Sequence, residues 1–339
     1  MKRKTKVITT LMLSTFMLFS GVLGVQAETT SNEMICEDQS TLDLTKIYQL
    51  TNDKTENPEE NFAFRVEKVS ASKSQLTLDT MPSFAENLYQ VHFAEGEATK
   101  EGKSNSTVVD LPVFTNVGVY TYRITEESGD TAGLIYDTEP VLLTVTVTNC
   151  GDGSDRLDRH YVMALENSPA EKVESFTNSF EAGGLTVEKE VSGILGDKNK
   201  EFHVDVEFTA PENKVVENTV YYTDNGAKSI GADEWKDGKV TASLTIKHGE
   251  KITFSNLPYG VTYKVSEVEA NQDDYTTSIT STDNNQKIDS ALDEVRIVNA
   301  KGGILPTGLS QNVLPYAVAA SLIALLGLVF FFRQRQIRG

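Results

Sequence analysis

Two sets of one lysine, one glutamate and one asparagine recur in the same order along the chain, and together these side chains can form a new amide bond. The sets are Lys46, Glu126 and Asn178, then Lys189, Glu267 and Asn299. A neutral lysine amine is a nucleophile, a side-chain amide can lose ammonia to it, and a carboxyl group can move the proton. The pattern predicts one Lys–Asn isopeptide bond per set, made without an external catalyst.

Residue parity places each set on the apolar face of β strands. Side chains alternate along a strand, so Lys46 shares a face with Leu42 and Leu44, and Lys189 shares one with Val187. Burial lowers the pKa of a lysine and raises that of a carboxyl group. We expect a neutral pair in which the protonated glutamate donates a hydrogen bond to the asparagine oxygen. The alternative for any single residue is a polar side chain turned to solvent at a strand end.

The elements that hold these residues are predicted to be β strands throughout. Short alternating runs rich in Val, Thr, Tyr and Phe, separated by turn residues, favour an all-β fold of two tandem sandwiches over helical or α/β domains. A repeat supports two domains, since VYTYRITE at 119–126 recurs as VTYKVSE at 261–267. Gly183 and Gly184 suggest a boundary near residue 182. The predicted domains are therefore 28–181 and 182–300.

Both chain ends carry export features. A basic start, an apolar stretch and a small-x-small element ending at Ala27 predict a signal peptide over 1–27. At the other end, residues 301–339 hold Leu-Pro-Thr-Gly, an uncharged run over 313–332 and three arginines. The run has 20 residues, enough for a membrane-spanning helix, and the arginines predict a cytoplasmic end. An ordinary type I membrane protein is the alternative.

The C-terminal combination resembles the cell-wall sorting signal of Gram-positive surface proteins, which a sortase cuts between threonine and glycine. Proline stands third rather than second in the five-residue element, as in the variant used by pilus-specific sortases of streptococcal T-antigen pilins. The element consists of Ile304, Leu305, Pro306, Thr307 and Gly308. The resemblance implies cleavage between Thr307 and Gly308, with transfer of Thr307 to an amine.

The ordered Lys-Glu-Asn sets also resemble those of streptococcal major pilins, whose Ig-like domains are of the collagen-adhesin B type (CnaB). The resemblance implies bonds from Lys46 to Asn178 and from Lys189 to Asn299, with the two glutamates as the catalytic groups. It further implies a covalent homopolymer in a secreted, wall-anchored surface pilus. The implied partners are identical subunits, pilus and wall-anchoring sortases, minor pilins and peptidoglycan.

A shaft subunit also needs a lysine that receives the threonine of the neighbouring subunit. The resemblance points just upstream of Asn178, where Lys172 is the best candidate after a one-residue gap in the spacing. A solvated surface lysine is the alternative.

The other reactive side chains are few. Cys36 and Cys150 are the two cysteines, and in an exported protein they suggest a disulfide, with two free thiols as the alternative. The four histidines are scattered, so no metal site is expected. There is no glycine-rich phosphate loop and no nucleophile elbow. We expect no cofactor and no turnover catalysis.

Charge narrows the range of partners. The formal net charge is −18, and it becomes −25 without the basic ends 1–27 and 308–339, which carry +4 and +3. Such acidity argues against nucleic acid as a partner. Two functions remain: the backbone subunit of a pilus, or a monomeric wall-anchored adhesin or minor pilin that binds a host ligand.

Overall fold

A computed structural model describes residues 36–152 and 154–302 as an almost entirely β protein. The expected signal peptide, the sortase element from Ile304 to Gly308 and the apolar run 313–332 lie outside the described residues. Within the described ranges, no helix is both long and apolar enough to cross a membrane. The all-β prediction is confirmed.

The first ten strands form two sheets that face each other across one core. One sheet has the order β4-β1-β10-β6 and the other the order β3-β2-β5-β7-β8-β9. The strands are β1 (Thr41–Leu50), β2 (Glu60–Ser72), β3 (Leu88–Phe93), β4 (Lys103–Asp110), β5 (Gly118–Glu126), β6 (Leu134–Ile135), β7 (Val141–Asn149), β8 (Leu157–Leu165), β9 (Ser168–Lys172) and β10 (Ser175–Phe180).

The remaining nine strands repeat this plan with a second core. Their sheets have the orders β14-β13-β16-β11-β19-β18 and β15-β12-β17, and a short 3-10 turn spans Ala232–Glu234. The strands are β11 (Ala182–Ser192), β12 (Phe202–Thr209), β13 (Val220–Thr223), β14 (Ala227–Ile230), β15 (Lys239–Ile246), β16 (Lys251–Pro258), β17 (Thr262–Glu267), β18 (Thr276–Ser281) and β19 (Asp293–Ala300).

The first and last strands of each half are parallel neighbours. β1 pairs with β10, and β11 pairs with β19, whereas most other pairings are antiparallel. A parallel pair cannot be closed by a hairpin, so everything between the two strands forms the connection. Each half therefore begins and ends at one place in its sheet.

Alternation of side chains builds the cores as parity predicts. Along β5 every second residue from Gly118 to Glu126 is buried, and along β1 the same holds from Leu42 to Tyr48. One apolar cluster is made almost entirely of residues from β1 to β10, and a second of residues from β11 to β19. A polar residue that keeps this parity is thereby carried into the core.

The two halves meet without a linker. Only Glu181 separates β10 from β11, and the two glycines expected at a boundary lie inside β11. A Cβ atom at Gly183 would overlap the carbonyl oxygen of Ser290. The glycines therefore permit close backbone packing rather than a flexible hinge.

Backbone contacts join the halves beyond this point. The Ala132 N–H donates to Val215 O at 2.7 Å, and the Val215 N–H donates to Asp130 O at 2.8 Å. Ala132, from the first half, packs in the core of the second. The Asn52 amide donates to Ala182 O at 2.6 Å and to the Tyr259 hydroxyl at 2.8 Å.

Candidate functional site

The first candidate site lies where β1, β10 and the end of β5 meet inside the core. Lys46 pairs with Phe176 and Tyr48 pairs with Asn178 in the parallel ladder, so Lys46 and Asn178 are diagonal neighbours on one face. Glu126 is the last residue of β5 and reaches them from the opposing sheet. The structure therefore brings together the three residues of the first set.

The carboxyl group of Glu126 bridges the amine and the amide. Lys46 Nζ donates to Glu126 Oε2 at 2.6 Å, and Asn178 Nδ2 donates to Glu126 Oε1. The amide oxygen of Asn178 accepts the backbone N–H of Asp137 at 2.7 Å. All three side chains are at most 2% exposed, so the site is shielded from bulk water.

Burial shifts the protonation of this pair toward neutrality. Desolvation lowers the pKa of Lys46 to about 8, against the opposing charge of Glu126. Desolvation likewise raises the pKa of Glu126 above its usual range, although Lys46 and Asn178 oppose the shift. Lys46 Nζ also lies 4.8 Å from the centroid of Phe62, an apolar neighbour that cannot accept its proton. The amine is thus closer to its nucleophilic form than an exposed lysine.

The second candidate site repeats this arrangement in the second core. Lys189 pairs with Ile297 and Val191 with Asn299, the same two-residue diagonal as in the first half. Glu267 ends β17 in the opposing sheet. Lys189 Nζ donates to Glu267 Oε2, and Asn299 Nδ2 donates to Glu267 Oε1 at 2.6 Å.

The second site differs from the first in the contact of its amide oxygen. Lys189 Nζ donates to Asn299 Oδ1 at 2.7 Å, whereas in the first site the backbone of Asp137 occupies the corresponding amide oxygen. Lys189 Nζ also lies 4.0 Å from the centroid of Phe202. Desolvation lowers the pKa of Lys189, as it does for Lys46.

One expected contact is wrong. The glutamate was expected to donate to the asparagine oxygen, but both carboxyl groups contact the amide nitrogen instead. The reason is the pairing of donors with acceptors: a carboxylate accepts, and the amide NH2 and the lysine amine are the donors within reach. The carboxyl group thus faces the nitrogen that would leave, not the oxygen.

Lys172 lies at the outer edge of the first half. It is the last residue of β9, an edge strand whose five residues are all exposed, and it pairs with Ala164 of β8. A surface groove of about 430 Å³ runs beside it, and Leu42 and Met163 contribute apolar surface to its lining. Among the described residues, the Lys172 amine makes no hydrogen bond or salt bridge to an acidic side chain. It is therefore accessible to a partner.

Cys36 and Cys150 form a disulfide, with Cα atoms 5.3 Å apart. The bond ties the segment before β1 to the end of β7. Asp158 lies near both sulfur atoms, but thiols that are joined in a disulfide cannot ligate a metal as thiolates. This cluster does not fit a metal site.

Asp137 is the group that sequence reasoning missed. Its contribution is a backbone N–H, which every residue except proline carries, so its residue type gives no signal. The sequence also did not distinguish Phe62 and Phe202, which lie beside the two lysines. Apolar residues on a strand indicate only a position in the core.

Two family matches cover most of the described chain. Residues 42–181 match the Spy0128-like isopeptide containing domain, and residues 183–301 match a domain of unknown function (DUF7601). The first match contains Lys46, Glu126 and Asn178. Residues 42–181 are thus similar to a family of domains that is described by its isopeptide bonds.

Pilins are among the known proteins that resemble this chain in sequence and fold. The chain is 25% identical to a pilin of Streptococcus pyogenes serotype M1, over 94% of this chain and 98% of the relative. The solved major pilin T3.2 of Streptococcus pyogenes is 27% identical, with a TM-score of 0.54, covering 78% of this chain and 99% of that one. A second major pilin structure from this species, 24% identical with a TM-score of 0.53, shares the fold. The chain is a homologue of the streptococcal major pilins.

Proposed function

We propose that this chain is the backbone subunit of a Gram-positive surface pilus that a sortase polymerises. Two self-formed Lys–Asn isopeptide bonds would stabilise each subunit. One observation carries the proposal. In both cores a buried lysine and a buried asparagine lie diagonally across the parallel first and last strands, with a glutamate between them. Homology to major pilins over nearly the whole chain supports it.

The bond-forming step follows from the contacts of Glu126. The carboxylate takes a proton from the Lys46 ammonium, to which it is bonded at 2.6 Å. The neutral amine attacks the amide carbon of Asn178, and Glu126 passes the proton to Nδ2, which already contacts it. The Cγ–Nδ2 bond breaks, and the carboxylate removes the second proton from Nζ and passes it to the departing ammonia, which leaves as ammonium. The products are the Lys46–Asn178 amide, ammonium and a regenerated carboxylate.

The second site supports the same step with Lys189, Glu267 and Asn299. Each site would act once, because its nucleophile and its electrophile are consumed. The protein would therefore modify itself once at each site rather than act as a turnover enzyme, and the reaction would require no cofactor.

We place the domain division at residue 182, as the sequence suggested. Strand pairing is contained within β1–β10 and within β11–β19 apart from one isolated bridge, Thr131 to Val215. The two family matches end at 181 and begin at 183. Each domain then contains one complete cross-linking site.

Polymerisation needs an acyl donor and an amine. The donor would be Thr307, freed from Gly308 by the sortase, and the amine would be Lys172. The exposed position of Lys172 on an edge strand, beside a groove, supports this role. The signal peptide and the sorting element then imply export and final attachment to peptidoglycan, with sortases, minor pilins and identical subunits as partners.

The test is the size of the polymer in wall extracts of cells that express the chain with its sortase. A ladder of SDS-resistant species is expected, and it should vanish in Lys172→Arg, which keeps the charge but removes the primary amine. Lys100→Arg is the matched control, because Lys100 is an exposed lysine of the same domain, paired with Asp53. A ladder that persists in Lys172→Arg would assign the acceptor to another lysine.

The second candidate function is a wall-anchored adhesin or minor pilin. A segment of 131 residues, 38% of this chain, is 28% identical to a pilus tip adhesin of Streptococcus pyogenes, but covers 18% of that protein. A single band in place of the ladder, with wild-type chain, would favour this function, and a host surface would then be the partner to seek.

A further inference from the structure

The two sites differ in what holds the amide oxygen that becomes negative during attack. In the first, Asn178 Oδ1 accepts the Asp137 backbone N–H at 2.7 Å. In the second, the described hydrogen bond to Asn299 Oδ1 comes from Lys189 Nζ itself. An attacking amine must turn its lone pair to the amide carbon, so this bond cannot persist through the reaction. Only the first site has a donor independent of the nucleophile among the described residues.

The Asp137 N–H is fixed before any reaction occurs. β6 pairs with β10 through Leu134 and Ile135, and the chain leaves this ladder just before Asp137. The hydroxyl group of Tyr136 donates to Glu60 at 3.3 Å, and the carboxylate of Asp137 accepts the N–H of Glu139 at 3.2 Å. The peptide group of Asp137 is thus held from both sides and aims its N–H at Asn178.

We infer that the Asp137 peptide N–H is a catalytic group, an oxyanion donor for cross-linking in the first domain. The inference rests on the proposed isopeptide chemistry. As Lys46 Nζ bonds to Cγ of Asn178, the electron pair of the C=O bond moves to Oδ1, where the Asp137 N–H stabilises it. The pair returns as the Cγ–Nδ2 bond breaks, after Glu126 has delivered to Nδ2 the proton it took from the Lys46 ammonium. Glu126 then takes the second proton from Nζ and passes it to the departing ammonia, so that ammonium leaves, the carboxylate is regenerated, and atoms and charge balance without another reactant.

This donor gives the two domains different rates of bond formation. Loss of one oxyanion donor costs about 10²- to 10³-fold in the rate of acyl transfer in enzymes. The first-domain bond should therefore form sooner after folding than the second-domain bond of the same chain.

The test compares Asp137→Pro, which removes the N–H, with Asp137→Ala, which keeps it but removes the carboxylate. Full-length chain is made by in vitro translation, quenched in acid at intervals, and digested for quantitative mass spectrometry of both cross-linked peptides. We expect the first-domain bond of Asp137→Pro to form about 10²- to 10³-fold more slowly than that of Asp137→Ala. The second-domain bond serves as an internal reference, because it should form at the same rate in both variants. Equal first-domain rates in the two variants would overturn the inference.

Folding of the proline variant is checked where no first-domain bond can form. Both substitutions are placed in a Glu126→Gln background, and equal thermal midpoints show that the domain tolerates proline. Should proline unfold the domain, the wild-type chain decides: a first-domain bond that forms no faster than the second overturns the inference. Complete absence of both bonds in wild-type chain would instead reject the proposed function on which the inference rests.

Discussion

At the scale of single residues, the proposed bonds would explain why two lysines are buried in the cores. A charged amine with 0% exposure in an aromatic core is costly, and a paired carboxylate offsets only part of that cost. The proposed conversion of the amine and the amide into one neutral amide would remove the ionisable amine altogether. The unreacted pair would then be a transient arrangement, and the glutamate would be the group that remains after the reaction.

The first prediction concerns these glutamates. Glu126→Gln keeps the size of the side chain but cannot relay a proton, so the bond between Lys46 and Asn178 should not form. Glu267→Gln should block only the bond between Lys189 and Asn299. Intact mass should show one ammonia loss in each single variant and none in the double variant.

Neighbouring acids provide matched controls for this experiment. Glu127 follows Glu126 but pairs with Arg65 at the surface, and Glu269 binds His203 near Glu267. Glu127→Gln and Glu269→Gln should retain both ammonia losses. A cross-linked Lys46–Asn178 peptide in Glu126→Gln would show that the carboxyl group is not required.

The second prediction uses the depressed pKa of Lys46. In Asn178→Ala no bond should form and the amine should still titrate. With Asn178 present, burial lowers the pKa of Lys46 from 10.5 to about 8, and because Asn178 does not contribute to this shift, the lowered pKa should persist in the variant. Between these values the unfolded chain binds more protons, so the free energy of unfolding should rise with pH, by about 3 kcal/mol at most. The gain is lost again as pH falls from 10.5 to 8.

Chemical denaturation across this pH range measures the effect. Asn178→Ala/Lys46→Met is the control, because it has no amine at this position and should lack the rise while sharing all other titrations. Parallel pH curves for the two variants would contradict a depressed lysine pKa.

At this scale, most of the candidate site could be predicted from the sequence. The six side chains could be identified because polar residues kept the parity of apolar strands. The direction of the glutamate contacts could not, since it depends on rotamers and on which donors are nearby. Asp137 could not be found because a peptide N–H carries no residue signature.

At the scale of elements, the central device is the parallel pair of first and last strands. A bond from Lys46 to Asn178 or from Lys189 to Asn299 would staple the two strands at which each domain opens. A cross-link that encloses about a hundred residues lowers the entropy of the unfolded chain. In the loop-closure treatment this raises the free energy of unfolding by about 4 to 5 kcal/mol. The alternating pattern predicted strands and faces, but the two-residue diagonal needed the register of the parallel ladder, which sequence does not encode locally.

The third prediction tests the close packing at the start of β11. Gly183→Ala would drive a methyl group into the Ser290 carbonyl, so the second domain should lose about 1 to 3 kcal/mol. Gly302→Ala is the control, because nothing lies within 4 Å of its added Cβ. Calorimetry should show a lower thermal midpoint for the first variant alone. An unchanged thermal midpoint for Gly183→Ala would contradict this close packing, because the backbone at the junction would then have moved to accommodate the methyl group.

At the scale of the whole molecule, the two bonds would have different purposes. If fibre tension enters at Thr307 and leaves at Lys172, it reaches Asn299, crosses to Lys189 and follows β11 and β10 to Lys172. Most of the second domain is bypassed through its bond, and most of the first domain lies off the path. The second bond would then bear force, whereas the first would protect its domain from unfolding and proteolysis.

The fourth prediction follows from this load path. Single chains pulled between residues 172 and 307 should not extend in the second domain when the bond is present. Asn299→Ala should release the segment between positions 189 and 299, a separation of 110 residues and roughly 350 to 400 Å when extended. Asn178→Ala should add little extension in this geometry. Large extension of the first domain in wild-type chain would reject the load path.

The most direct test of the account is the intact mass of the folded, exported region, measured after reduction of the disulfide between Cys36 and Cys150. Two self-formed bonds predict a mass below that of the sequence by two ammonia molecules, with cross-linked peptides joining Lys46 to Asn178 and Lys189 to Asn299. The full sequence mass in well-folded protein would contradict the account, because both buried amines and both amides would then have remained unreacted.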